Sequence, residues 1–251
     1  MIVSRAGAST RALFAALSLA MPVAAVLAQD VAIPAGGAGL AVAPVMLTLA
    51  GDARTVSTIV SNPGAASQTV QARLYAWTSR GEDEVYAPTD EIGFSPPLFK
   101  LAAGGTQAIR LVSKVAPGPV ERSYRLIVDQ LPLPDAPGQL QMPVRMVLPV
   151  FVAPAPGVVR VDRLEWNARF DAAAGIMRIR VENRGTIHAK ITDLAVEDGG
   201  GSTPVAPGLA GYALAGQARE WSYRTAAAPQ SLTIVAHSGP ASIRAKVIVA
   251  R

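Results

Sequence analysis

The sequence predicts an all-β protein made of two antiparallel sandwiches. Three observations carry this reading. Turn signals recur about every ten residues along the chain. No segment sustains the apolar spacing of a long helix. Glycine (22) and proline (20) are plentiful, which favours turns and short strands. The chain has 251 residues, half of them hydrophobic, enough for two domains of ordinary size with full cores.

Residues 1–28 read as a secretory signal. Arg5 and Arg11 form a positive start, Ala12 to Val26 a short apolar run, and Val26-Leu27-Ala28 a small-residue cleavage site before Gln29. The run is short for a membrane span; an uncleaved anchor is the alternative. Removing this segment takes away two arginines and no acids, so the formal charge falls from +5 to +3. That charge is spread along the chain, with no basic run or aromatic-interleaved patch, so nucleic-acid binding has no support. Export of a soluble protein points to the periplasm or the exterior. Cysteine is absent, which excludes disulfides, thiolate metal sites and a cysteine nucleophile.

Asp30 to Gly39 is a small, flexible lead-in. Leu40 to Leu49 is strand-like but interrupted by Pro44, as in an edge strand or one that switches sheets at a proline kink. Gly51-Asp52 turns the chain. Thr55 to Val60 is β-branched and ends in the turn Ser61-Asn62-Pro63-Gly64. Gln68 to Trp77 alternates, with Val70, Ala72, Leu74 and Ala76 on one face. Gly81 to Asp90 is acidic and reads as a loop. Phe94 to Phe99 is a rigid extended segment, Gly104-Gly105 a turn, and Gln107 to Val112 and Ser123 to Leu131 are strands. Leu133 to Gly138 is a proline-rich loop.

The segment Leu140 to Val152 is the most telling. Its even positions, from Leu140 through Met142, Val144, Met146 and Leu148 to Val150 and Val152, are all apolar, while Gln141, Pro143, Arg145 and Pro149 fall on the odd ones. A two-residue period marks a strand with one apolar face. Proline lacks an N–H and is tolerated at sheet edges, and both prolines have the same parity. A long apolar strand at an edge invites pairing with another chain; the alternative is an ordinary sandwich strand with prolines at its ends.

Ala153 to Gly157, with two prolines and a glycine, reads as a stiff linker, which places domains at 29–154 and 158–251. Beyond it, strands are expected at Val158 to Trp166, Ala174 to Asn183, His188 to Val196, Ala218 to Arg224, Ser231 to His237 and Ala241 to Val249. Asn183-Arg184-Gly185 is a turn, and Asp198 to Thr203 a glycine-rich hairpin loop.

No catalytic constellation emerges. The only histidines, His188 and His237, stand in no metal-ligand pair, and no GxSxG surrounds a serine. Glu82-Asp83-Glu84 and Glu197-Asp198 read as solvated loops. The tract Asp198 to Gly201 lacks the strand–GxGxxG–helix context of a phosphate loop. The expectation is no enzyme, no cofactor and no metal.

Taken in order, Val56-Ser57-Thr58-Ile59-Val60-Ser61-Asn62-Pro63, Gln71 to Trp77, Phe94-Ser95-Pro96-Pro97 with Phe99-Lys100-Leu101, Gln107-Ala108-Ile109-Arg110-Leu111, Tyr124-Arg125-Leu126, Leu131-Pro132, Arg145 to Val152, and Val181-Glu182-Asn183 with Gly185 resemble the periplasmic chaperones of chaperone–usher pilus assembly. The Arg-x-x-Leu-Pro-Val-Phe-Val form is most similar to the archaic or alternative branch. The resemblance implies an L-shaped pair of immunoglobulin-like domains whose first member binds pilin subunits. It also implies an outer-membrane usher as the second partner. The strand at Leu140 to Val152 would be lent to a subunit that lacks its own last strand. Leu140, Met142, Val144, Met146 and Leu148 would be the donor side chains, four of which contribute on the order of 6–12 kcal/mol before ordering costs. The long apolar strand would also allow a self-capping homodimer.

The resemblance further implies a basic anchor for the subunit's terminal carboxylate. Met46 and about Pro149 stand where the family usually has an arginine and a lysine, so Arg125 and Arg145 become the anchor candidates. Arg110 matches an arginine regarded as a structural interdomain residue, although its usual acidic partners are replaced near Gln130 and His237. A two-domain adhesin or pilus subunit, with Asp30 to Gly39 as a short donor extension, is the alternative function, and a secreted hydrolase on a β-sandwich a third.

Overall fold

A computed structural model describes residues 39–50, 53–132, 142–227 and 229–251, and the expected signal segment lies outside them. The first domain runs β1 (Ala41–Ala43), β2 (Leu47–Leu49), β3 (Thr55–Ser61), β4 (Gln68–Arg80), β5 (Asp83–Pro88), β6 (Ile92–Ser95), β7 (Leu98–Leu101), β8 (Thr106–Ser113), β9 (Arg122–Leu131) and β10 (Arg145–Val152). The second runs β11 (Leu164–Asp171), β12 (Ile176–Asn183), β13 (Ala189–Asp198), β14 (Gly201–Ala213), β15 (Ala218–Arg224), β16 (Ser231–Ser238) and β17 (Ala241–Ala250). Among the described residues there is no helix.

The first domain packs a sheet of order β1-β3-β8-β6 against one of order β2-β10-β9-β4-β5, with β7 pairing β4. The proline kink at Pro44 does switch sheets: β1 pairs β3 in one layer and β2 pairs β10 in the other. The buried Thr58 hydroxyl donates to the Pro44 carbonyl at 2.9 Å and holds the crossover. Pro96-Pro97 marks a second switch, with β6 on β8 and β7 on β4. The alternation read from sequence places Val70, Ala72 and Leu74 inward from β4 and Ile109 and Leu111 inward from β8. β9 is buried on both faces: Tyr124, Leu126 and Val128 in the core, and Arg125, Ile127 and Asp129 opposite.

In the second domain the sheet order is β14-β13-β16-β17-β11-β12-β15. A short parallel contact, Ala168 with Val249 and Arg169 with Ala250, joins its two antiparallel blocks. Met177, Ile179 and Val181 from one block bury against Ile191, Leu194 and Ile234 from the other.

Both domains use the same turn device. Asn62 donates Nδ2 to the Ala66 and Ala102 carbonyls, while its Oδ1 accepts the Gly64 N–H. Asn183 donates to the Ile187 and Ala213 carbonyls and accepts the N–H groups of Gly185 and Arg163. A fully buried amide so satisfied fixes each turn to the strands around it. At Gly185 a β-carbon would collide with the backbone of Val161, Asp162 and Arg163, so the approach there requires glycine.

Three sequence expectations are corrected. Residues 81–90 are not a loop, because Asp83–Pro88 pairs with β4 as a hairpin. The strand expected at Val158 to Trp166 begins only at Leu164 and runs to Asp171. The hairpin expected at Asp198 to Thr203 is present but tighter, turning at Gly199-Gly200, and leads into β14, a thirteen-residue strand containing Pro204 and Pro207 that was not among the expected ones. Those prolines are tolerated because β14 is an edge strand. The proline-rich loop from Leu133 lies outside the described residues.

Candidate functional site

β10 pairs antiparallel with β9 along its whole length, from Arg145 opposite Asp129 to Val152 opposite Arg122. On its other side β2 pairs only with Val150, Phe151 and Val152. From Arg145 to Pro149 the outer edge of β10 carries no strand among the described residues.

Side-chain exposure changes along this strand. Met142 is 78% exposed, Val144 and Met146 are half-buried, and Leu148 is 2% exposed within the first domain's own core. Leu148 is therefore withdrawn from the donor set: its own side chain is already buried in the core of its domain. Leu140 lies outside the described residues. On the opposite parity Val147 is exposed and Phe151 is fully buried.

Phe151 belongs to a small cluster between the domains with Trp77, Tyr212 and Leu214. Trp77 meets Tyr212 edge to face at a centroid distance of 5.3 Å. Backbone bonds from Glu121 N–H to the Thr186 carbonyl and from Glu220 N–H to the Gly81 carbonyl, both 2.9 Å, reinforce this contact.

Beside the free edge lies a cavity of about 710 Å³ shared by both domains. Val45 and Met46, on the turn before β2, and Val147 and Pro149 of β10 give it an apolar side. Arg125, Lys190 and Arg219 bring positive charge, and Glu84 brings one carboxylate. Met46 and Pro149, the positions that the resemblance aligns with an arginine and a lysine, are thus in the cleft but uncharged.

Arg125 is deeply committed. Its guanidinium carbon sits 3.5 Å from the centre of the Trp77 ring, and Nη2 donates to both Glu84 oxygens at 2.8 and 2.9 Å. Tyr86 also donates to Glu84, and burial followed by that bond pushes its phenol up to about 12. Arg219 differs. It forms no ion pair among the described residues, and its buried Nε and Nη1 have no acceptor. Exposed Lys190 likewise has no acidic partner among the described residues. Sequence reading missed both cations, which lie on separate strands and meet only through the fold.

Arg145 and Arg73 grip Asp129 from two sides, each at 2.5 Å. Burial alone would raise the Asp129 carboxyl, but the hydrogen bonds from Arg145 and Arg73 outweigh it and hold it below its usual range. Arg145 thus ties the start of β10 to β9. Arg110 is not between the domains. Its neighbours Ile109 and Leu111 fill the core, so Arg110 points out from the four-stranded sheet and makes no ion pair among the described residues. No group of three His, Asp or Glu side chains that could hold a metal ion is present among the described residues.

Residues 39–157 match the family described as pili and flagellar-assembly chaperone, PapD N-terminal domain. That match spans the first domain. The fold agrees across both domains. The chaperone–tip adhesin complex CsuC–CsuE from the archaic Csu pili of Acinetobacter baumannii superposes with a TM-score of 0.67 at 22% identity, covering 85% of this chain and 100% of that one. The E. coli chaperone DraB gives 0.54 at 16% identity, covering 83% and 96%. The Salmonella enterica SafA pilin–SafB chaperone complex gives 0.55 at 17%, covering 80% and 90%. These likenesses establish the two-domain immunoglobulin-like fold of the pilus chaperones. A search of curated proteins finds no match.

Proposed function

We propose that this protein is a periplasmic chaperone that caps pilin subunits by lending them β10 and passes them to an outer-membrane usher. One observation carries the reading: the edge of β10 from Arg145 to Pro149 carries no strand among the described residues and opens onto a cleft. A subunit strand added there gains backbone hydrogen bonds, and Met142, Val144 and Met146 reach into the subunit's open groove. The burial of those side chains, about 1.5–3 kcal/mol each before ordering costs, drives capture without a nucleotide. The protein acts by binding and has no catalytic step. A second copy pairing at the same edge would cap the free chaperone.

Arg219 and Lys190 are the groups that this reading gives to the subunit's terminal carboxylate. Guanidinium binds carboxylate through paired N–H donors, and Arg219 has no carboxylate partner of its own among the described residues. Arg125 lines the same cleft, with its charge matched by Glu84.

The test is co-expression with a secreted subunit whose gene neighbours this one. Met142→Asp with Val144→Asp should abolish recovery of subunit from the periplasm while the chaperone itself accumulates folded, because Met142 is not part of its core. Normal subunit recovery with that double variant would show that β10 is not the donor.

A further inference from the structure

The outer face of β11, β12 and β15 carries charge in rows set by strand register. Glu165 stands directly opposite Glu182, and Arg169 directly opposite Arg178. Like charges facing each other across a ladder destabilise it. The acidic row is neutralised: Arg184 Nε reaches Glu165 at 2.9 Å and Glu182 at 3.3 Å. The basic row has no equivalent clamp. Asp171 touches Arg178 at 3.4 Å and leaves Arg169 without an acidic partner among the described residues.

Two further guanidinium groups gather around that row. Arg180 is held by Glu220 at 2.8 Å, and Arg251 has no ion pair among the described residues. Together these side chains line a depression of about 760 Å³, a size suited to a small ligand. Four guanidinium groups face two side-chain carboxylates, so the balance is positive. A single carboxylate would satisfy one fork. A phosphate monoester presents three acceptor oxygens and close to two charges, which matches two facing forks.

We propose that this depression on the second domain binds a phosphate monoester, carried on a soluble molecule or on a lipid headgroup, between Arg169 and Arg178. The site is independent of strand donation by β10.

The probe is inorganic pyrophosphate, titrated calorimetrically into the full chain at low salt. Binding should be saturable and weaken as salt rises. Arg169→Gln with Arg178→Gln should weaken it about tenfold or more, the loss expected for charge-assisted bonds. Arg110→Gln, which removes an exposed arginine from the other domain, should leave it within about twofold. Without ligand the double variant should still unfold cooperatively, and pyrophosphate should raise the unfolding temperature of the parent only. Co-sedimentation with phosphatidylcholine vesicles containing phosphatidic acid, lost in the double variant, would assign the lipid-borne source. Pyrophosphate binding without co-sedimentation would assign the soluble one. No saturable binding by the parent, or an equal loss in Arg110→Gln, would overturn the site.

Discussion

The imidazole of His188 lies flat on the ring of Phe151, with centroids 3.8 Å apart and planes 9° from parallel. Its Nδ1 is 2.7 Å from Glu121, whose carboxylate also accepts the His188 backbone N–H. Phe151 belongs to β10 and Glu121 precedes β9, so the second domain grips the first through the far end of the strand whose near end is open.

Phe151→Ala should cost about 3–5 kcal/mol in denaturant unfolding, as expected for a fully buried aromatic. His188→Ala should cost less, about 1–2 kcal/mol. A double-mutant cycle should give a coupling of about 0.5–1.5 kcal/mol for the stacked pair. A coupling of zero would mean that the stack contributes nothing to the domain contact.

Asp129→Asn should destabilise the chain at neutral pH by about 1 kcal/mol, discounted for the exposure of both arginines. The carboxyl is held below its usual range in the folded state, so its contribution is present above the unfolded value near 4 and is lost as pH falls through the folded value. Parent and variant should therefore converge in acid when chemical unfolding is followed against pH. A difference independent of pH would contradict the role of the ionised carboxylate.

Gly185→Ala should lower stability by more than about 2 kcal/mol because the new methyl meets the backbone of residues 161–163. Gly199→Ala, where nothing lies within 4 Å, is the matching control and should change stability by less than about 0.5 kcal/mol. Thermal unfolding of the two variants side by side decides it.

Arg219→Ala and Lys190→Ala should each weaken subunit binding about tenfold and reduce its salt dependence, while leaving the chaperone's own unfolding curve nearly unchanged. Arg110→Ala should do neither. Titration of purified subunit complexes at two salt concentrations separates these outcomes.

Much of the fold was legible because period-two alternation survives wherever a strand has one core face, as in Val70-Ala72-Leu74 and Ile109-Leu111. β5 was hidden by its acids, which look like a solvated loop until Glu84 is seen to pair with Arg125. β14 was hidden by Pro204, Pro207 and its glycines, which an edge strand tolerates. The alternation in β10 identified its faces. It did not distinguish side chains that fill their own core, such as Leu148, from those left exposed, such as Met142. Of the three cations of the cleft, only Arg125 was legible. Lys190 and Arg219 sit in no shared motif, and only the packing of the second domain against the first brings them to one cavity.

The short parallel contact of β2 with Val150 to Val152 has a mechanical consequence. Under the proposed function it would act as an end stop: a visiting strand would zip along the open rim only until it abuts Leu47. Since a slip of one residue would turn every inserted side chain to the wrong face, three residues of parallel pairing would set the alignment of a strand added there.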